Sequence, residues 1–389
     1  MKKVLLRAPV LTQSGYGVHA RQIASWLLSR KDIKLDIQAL PWGDTPWLID
    51  EKKCDGLIGK LMKSTVDPGN SSGRYDVTFQ LQLPNEWDTR FSDVNVGMTA
   101  GVETDRCHPE WIAACNRMTR IVVPSTHVKN CLTSTGKVEK KLVVVPESYS
   151  KAMGETTRTH VDDLKFSTSF NFLIFGQVTG NNPENDRKNV FYAIKWLCET
   201  FKDDKDVGIV VKTNVGRNTH IDMKIVRQTF EALLKEVRVG QYPRLNILHG
   251  DMSDEEVSSL YRHESVKALV SPSRGEGYGL PLLEASVCGL PVIATRWSGH
   301  LDFLNQGKYI DVNYSLREIH PSRIDDRIFI RGTKWAHPIE EDFKKKVKKF
   351  RESPGTPKEW AVDLSKKLRS TLSQEAVNSL YDSELGDLF

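Results

Sequence analysis

Twice along the chain, short aliphatic runs with hardly a polar break alternate with stretches of helical spacing, and few architectures accept that pattern. In the first half the runs are Val4–Val10, Leu35–Leu40, Asp76–Leu83, Val94–Thr99, Arg120–Val123 and Leu142–Val145, with helical spacing over Ala20–Leu28 and Glu110–Met118. Strands that apolar are covered on both faces, which means parallel strands joined by crossover helices. The pattern then restarts with strands at Phe170–Phe175, Val207–Lys212, Leu245–Leu248, Ala268–Ser271 and Pro291–Thr295. Between them Val190–Phe201, Ile221–Val237, Ser253–Tyr261 and Pro281–Cys288 read as helices. The fold class is therefore α/β with two successive sheets, and ligands are expected at the carboxyl ends of the strands.

A length of 389 residues suits two such domains better than one core. The polar stretch from Lys151 has no apolar periodicity, and 151–168 is expected to be a linker between domains at 1–150 and 169–352. Residues 353–389 read as a helical tail. In the run Lys344 to Lys349, Phe343, Val347 and Phe350 keep helical spacing, so the lysines are expected on a solvated face. No apolar run approaches the ~20 residues of a membrane span, and the first residues do not resemble a leader, so no stable membrane insertion is expected. Six scattered cysteines without Cys-x-x-Cys spacing fit a reducing cytoplasm. A net charge of +5 permits a polyanionic partner without requiring one.

The most specific segment is Ser271-Pro-Ser-Arg-Gly-Glu-Gly-Tyr-Gly-Leu-Pro-Leu-Leu-Glu-Ala285. A strand ends, Gly277, Tyr278, Gly279 and Leu280 form a loop, and Pro281 opens a helix. Backbone N–H groups beside a helix N-terminus suit phosphate or sugar oxygens. Glu276 and Glu284 offer carboxylates to vicinal hydroxyls. Near the N-terminus, Gly15, Tyr16 and Gly17 follow the first strand and open a helix, where small residues let backbone approach a diphosphate or merely make a tight turn.

Glu276 and Glu284 form the Glu-x7-Glu signature, and the surrounding Glu-Gly-Tyr-Gly-Leu-Pro resembles family four (group 1) of the retaining GT-B glycosyltransferases. The resemblance implies two Rossmann-like domains facing across a cleft, with a C-terminal helix crossing back to the N-terminal, acceptor-side domain. It also implies retention of anomeric configuration, no cofactor or metal, and a nucleotide diphosphate sugar, foremost a UDP-sugar, as co-substrate. Glu284 would hold the ribose hydroxyls and Glu276 would contact the donor sugar. Asp186-Arg-Lys-Asn189 matches the place of the family's phosphate-binding lysine, which makes Lys188 that residue and Arg187 its helper. Phe175-Gly-Gln177 lacks the arginine usual after the first strand of this domain, and Lys212 is expected to supply the charge. The turn from Leu245 through Gly250 to Met252 resembles the part that holds the nucleotide base, with His249 more simply a packed histidine. Glu103 stands where relatives place a polar group facing the acceptor, unless it and Asp105 only cap the following helix. Asp204-Lys-Asp206 fits a metal-binding Asp-x-Asp, but a solvated turn is the simpler reading.

The opening Leu6-to-His19 segment is also similar to glycosyltransferases encoded by T4-like tailed phages, placing the chain in a host cytoplasm. That similarity suggests hydroxymethylated pyrimidines in duplex DNA as acceptor, served by Arg106, Arg117, Arg120, Lys129, Lys137, Lys140 and Lys141. A surface polysaccharide or lipid-linked glycan is the alternative, and a sugar-nucleotide-binding protein without catalysis is the alternative of another class.

Overall fold

The computed structural model describes residues 1–70, 73–177, 182–216 and 218–389. The chain divides into two compact units, one of Met1–Ser148, Asp325–Ile330 and Gln374–Phe389, the other of Tyr149–Ile324 and Arg331–Ser373.

The first unit runs β1 (Lys2–Ala8), α1 (Gly15–Ser29), β2 (Ile33–Ala39), α2 (Leu57–Lys63), β3 (Tyr75–Leu81), β4 (Ser92–Met98), α3 (Pro109–Arg117), β5 (Arg120–Val123), α4 (Thr126–Thr135) and β6 (Lys141–Val144). Its six strands lie in the order β2-β1-β3-β4-β5-β6, and all are parallel. The order reverses beside β1, so the loop from β1 into α1 opens at a topological switch point. Strand β1 begins and ends two residues before its aliphatic run, because Pro9 cannot donate to a ladder.

The second unit runs α5 (Lys151–Gly154), β7 (Phe170–Phe175), α6 (Val190–Thr200), β8 (Val207–Thr213), α7 (His220–Val237), β9 (Arg244–His249), α8 (Asp254–Arg262), β10 (Val266–Ser271), α9 (Leu280–Val287), β11 (Val292–Thr295), α10 (Leu301–Leu304), β12 (Ile310–Val312), β13 (Tyr314–Glu318), β14 (Lys334–Pro338), α11 (Glu340–Glu352) and α12 (Gly355–Thr371). Its parallel sheet has the order β12-β11-β10-β7-β8-β9. Strands β7 and β10 flank the switch point, and the loops that follow them carry Lys188 and Glu276. The pair β13 and β14 is antiparallel and was not legible in the alternation.

Two expectations change. Residues expected as a linker pack on the second unit, because Met153 and Val161 are buried in its core. Most of the expected tail, α12, also lies there, through Leu364, Leu368 and Leu372. Only α13 (Gln374–Leu385) joins the first unit, burying Val377, Tyr381 and Leu385 beneath β1 and α1. The Tyr381 ring stacks on Trp26 at 4.8 Å, and its hydroxyl meets His19 Nε2 at 3.2 Å.

The same segment changes the reading of the basic residues. Arg120 binds Asp387 through two hydrogen bonds of 2.7 and 2.9 Å, and Lys141 pairs with Glu384 at 2.9 Å. In α11, Phe343, Val347 and Phe350 are buried, while Lys344 pairs with Glu199 and Lys346 with Asp342. Asp204 is bound to Arg351 at 3.0 Å. No helix among the described residues is long and apolar enough to cross a membrane.

Candidate active site

The loop after β7 and the loop after β10 meet at one carboxylate. Glu276 is only 4% exposed, and Lys188 Nζ reaches both of its oxygens at 2.8 Å. Arg187 donates to Glu276 Oε2 at 3.1 Å and to the Gly275 carbonyl at 2.7 Å. Burial pushes this carboxyl upward, but the facing Lys188 and Arg187 charges outweigh it and hold the group down at about 2. Glu276 is therefore ionised throughout the working range.

Local structure fixes the two cations. Asp186 accepts from the backbone N–H of Lys188 at 3.1 Å and of Val190 at 2.6 Å, and Asn189 takes a left-handed φ of 57° to start α6. Behind them lies a cluster that local sequence could not show. Arg274, 2% exposed, pairs with Glu184 at 3.2 Å and contacts the His337 ring at 3.0 Å, while its backbone N–H donates to the Arg187 carbonyl at 2.8 Å. On the other side, the Glu276 N–H donates to Ser298 Oγ at 2.9 Å, and His300 Nε2 meets the Thr295 carbonyl at 2.7 Å. Gly299 has no room for a side chain, since a Cβ would stand 2.0 Å from the Gly277 carbonyl.

Helix α9 starts at Leu280 after Gly279, whose φ of 102° is the left-handed region. Tyr278 is buried against Phe303, so it shapes the loop from inside. Glu284, one turn into α9, is partly buried, and its side chain accepts from the Tyr261 hydroxyl at 3.4 Å. Burial and the charge of Asp254 push its carboxyl up to about 8. The two glutamates of the signature are thus shifted in opposite directions, Glu276 downward by its cations and Glu284 upward by burial.

That contrast gives a prediction. If Glu284 accepts from ribose hydroxyls, the nucleotide binds the ionised form, and affinity should rise with pH up to about 8 and then level off. Glu284→Gln should abolish that dependence and cost ~1–3 kcal/mol of nucleotide binding. Because the folded value exceeds the usual one, ionisation costs stability from pH 4.5 upward. The same variant should therefore stabilise the free protein by ~1–3 kcal/mol at pH 9 and not at pH 4. Calorimetric titration and thermal melting across pH test both halves.

Lys212 does not join Lys188 and Arg187. It lies at the end of β8, 3% exposed, and donates to the Gly250 carbonyl at 2.6 Å and to Asn214. Burial lowers its ammonium to about 8 against the opposing pull of Asp251 and Glu256. It lines a cavity of about 250 Å³ together with His249, Gly250 and Met252. His249 Nε2 is buried there without a hydrogen-bond partner.

In the first unit, Ser14 caps α1 by accepting from the Gly17 N–H at 2.9 Å. The two glycines differ in kind. A Cβ on Gly17 would stand 2.1 Å from the Thr12 carbonyl, whereas one on Gly15 would meet nothing within 4 Å. Gly17 is thus required by packing, and only Gly15 leaves space for a ligand. Tyr16 stacks on Trp42 at 3.8 Å, and its hydroxyl contacts Thr99 Oγ1 at 3.1 Å and accepts from the Ala100 N–H at 3.0 Å. Burial raises the Tyr16 hydroxyl first, and Glu103 adds to that rise, so the two side chains share one corner. Neither Glu103 nor Asp105 caps α3, because His108 does so. Among the described residues no group of three or more His, Cys, Asp or Glu is placed to hold a metal ion.

Known proteins add to this geometry. A family model described as glycosyl transferases group 1 matches residues 244–319, the stretch that contains both glutamates. A probable sucrose-phosphate synthase of Thermosipho melanesiensis is 28% identical over 173 residues, which is 44% of this chain and 36% of the relative. The chain thus matches only about a third of that curated relative's length. Among solved structures, a sucrose-phosphate synthase of Thermosynechococcus elongatus superposes with a TM-score of 0.65 at 12% identity, covering 100% of this chain and 99% of the other. The Anabaena protein HepE, solved with UDP and glucose, gives 0.60 at 11% identity over 99% and 100% of the two chains. The chain therefore has two Rossmann-like units of the kind found in GT-B glycosyltransferases, and over residues 244–319 it carries the glycosyl transferase group 1 signature.

Proposed function

We propose that this chain is a retaining glycosyltransferase that moves a sugar from a nucleoside diphosphate sugar, foremost a UDP-sugar, to an acceptor hydroxyl. The observation that carries the reading is the clamp of Lys188 and Arg187 on the ionised Glu276. With donor bound, the cations neutralise the diphosphate as the C1–O bond breaks, and Glu276 accepts from a sugar hydroxyl. Glu284 accepts from the ribose. The acceptor oxygen bonds to C1 on the face the diphosphate leaves, and its proton passes to a phosphate oxygen. Orientation and charge, rather than a strong base, do this work. The complex of HepE with UDP and glucose supports the choice of donor.

For the acceptor we favour a hydroxyl of a sugar, in keeping with the sucrose-phosphate synthases among the relatives. A DNA duplex draws less support. Of the cations proposed for it, Arg120 and Lys141 are held by Asp387 and Glu384, Arg106 faces Asp105, and Lys137 faces Glu139. The test incubates the protein with sugar nucleotides and either free sugars or hydroxymethylated DNA, and weighs the products. A glycosylated sugar with retained anomeric configuration is expected. Modified nucleosides would reinstate the duplex, and binding without transfer or donor hydrolysis would leave a non-catalytic binding protein. Since Lys188 and Arg187 stand in for a divalent ion, turnover should persist in EDTA. Loss in EDTA with recovery on magnesium would refute that role.

A further inference from the structure

Behind the clamp stands a buried side chain that the transfer chemistry above does not use. Arg274 precedes Glu276 by two residues in the loop after β10 and is 2% exposed. Its backbone N–H donates to the Arg187 carbonyl at 2.8 Å, and its own carbonyl accepts from the Ala336 N–H of β14 at 2.9 Å. Its guanidinium reaches the same two segments. It donates to Glu184 at 3.2 Å and to the Pro183 carbonyl at 3.3 Å, and it meets the His337 ring at 3.0 Å. Trp335 and Tyr192 bound it, with ring centroids at 5.4 and 5.9 Å. Arg187 in turn meets the loop after β10 twice, with its carbonyl at Arg274 and its guanidinium at the Gly275 carbonyl. Burial works against the Arg274 charge, and Glu184 offsets only part of that cost. A buried ion pair is a weak source of stability, because well-packed apolar side chains often serve as well. What a guanidinium adds is direction, since its planar fork fixes several partners at set angles.

We infer that Arg274 is a positioning residue for the transfer. It holds the Arg187 backbone against the loop after β10, and so aims the Arg187 guanidinium at Glu276 and at the diphosphate oxygens that gather charge. This rests on the reading of the chain as a transferase that uses a nucleoside diphosphate sugar. Lys188 is fixed separately, by its backbone N–H on Asp186, so the effect of Arg274 runs through Arg187. A misplacement of roughly 1 Å that starts away from the chemistry is enough to cost about 100-fold in rate.

Arg274→Met, Arg187→Met and the double variant test it, with UDP-glucose as donor and glucose, fructose and their 6-phosphates as acceptors. Turnover is read as UDP released at saturating donor. Each single variant is expected to lower kcat about 100-fold, while Arg274→Met leaves the donor KM within about threefold. Added to Arg187→Met, the second change should cost no more than about fivefold, because residues that act as one unit are not additive. A larger further loss overturns the inference, since a merely structural role would multiply with the first. So does an Arg274→Met protein that keeps more than about a tenth of the turnover. Melting shows whether each variant is folded. If Arg274→Met is not, Glu184→Gln makes the same test at a side chain that is 36% exposed. It should cost about tenfold alone and no more than about twofold on Arg187→Met, and a larger loss on that background overturns the inference. Release of no UDP by the unaltered protein in any of these mixtures overturns the transfer reading, and this inference with it.

Discussion

Replacing Lys188 with methionine is expected to lower turnover at saturating donor by about three orders of magnitude. The side chain meets both Glu276 oxygens at 2.8 Å, and the loss leaves a 4%-exposed carboxylate facing Arg187 alone. Two effects combine. The leaving diphosphate loses a preorganised cation, and the Glu276 carboxyl rises from about 2 because burial is opposed by one charge fewer. The sign of the pH effect follows. In the unaltered protein the carboxyl lies below its usual value, so the pair stabilises the fold above pH 4.5, and that contribution is lost as pH falls toward 2. Lys188→Met should therefore melt earlier than the unaltered protein at pH 7, with the difference closing near pH 2. Lys188→Arg should recover part of the turnover. If the methionine variant keeps more than about a tenth of the activity, the cation assignment falls.

Tyr381→Ala is expected to destabilise the first unit by ~3–5 kcal/mol. It removes a fully buried ring stacked on Trp26 and leaves His19 Nε2 without the hydroxyl it meets. Chemical denaturation should show a transition for that unit moving to lower denaturant, while the transition of the second unit, which has its own core, stays in place. Tyr381→Phe keeps the stack and should cost only about 0.5–1.5 kcal/mol. A single unchanged transition for Tyr381→Ala would mean that α13 does not belong to that core.

These two residues differ in how far sequence alone could place them. Lys188 and Glu276 were legible because their surroundings are local: glycines, a proline and acids at fixed offsets within two short loops. The strands were legible for a similar reason, since burial on both faces leaves a continuous aliphatic run. That same burial hides which way a strand-end side chain turns, and so hides that the Lys212 ammonium lies beside the Gly250 carbonyl. Tyr381 keeps helical spacing with Val377 and Leu385, but a periodic stripe says that a face is covered without saying by what. The support behind Arg187 joins Glu184, Arg274 and His337, which local pattern cannot connect. The antiparallel pair of β13 and β14 escaped for want of the aliphatic content that marks the sheets.

The placement of α13 has a consequence for the order in which the molecule can be made. On the ribosome the strands of the first unit emerge early, but Val377, Tyr381 and Leu385, which complete its core, emerge only after the whole second unit. At roughly 5–20 residues per second, the nascent sheet ending at Ser148 waits on the order of ten to forty-five seconds for that helix. The half translated first is thus the half finished last. Through that interval the face of Trp26 that Tyr381 covers and the face of Phe79 that Phe389 covers stand open to chaperones and to neighbouring chains.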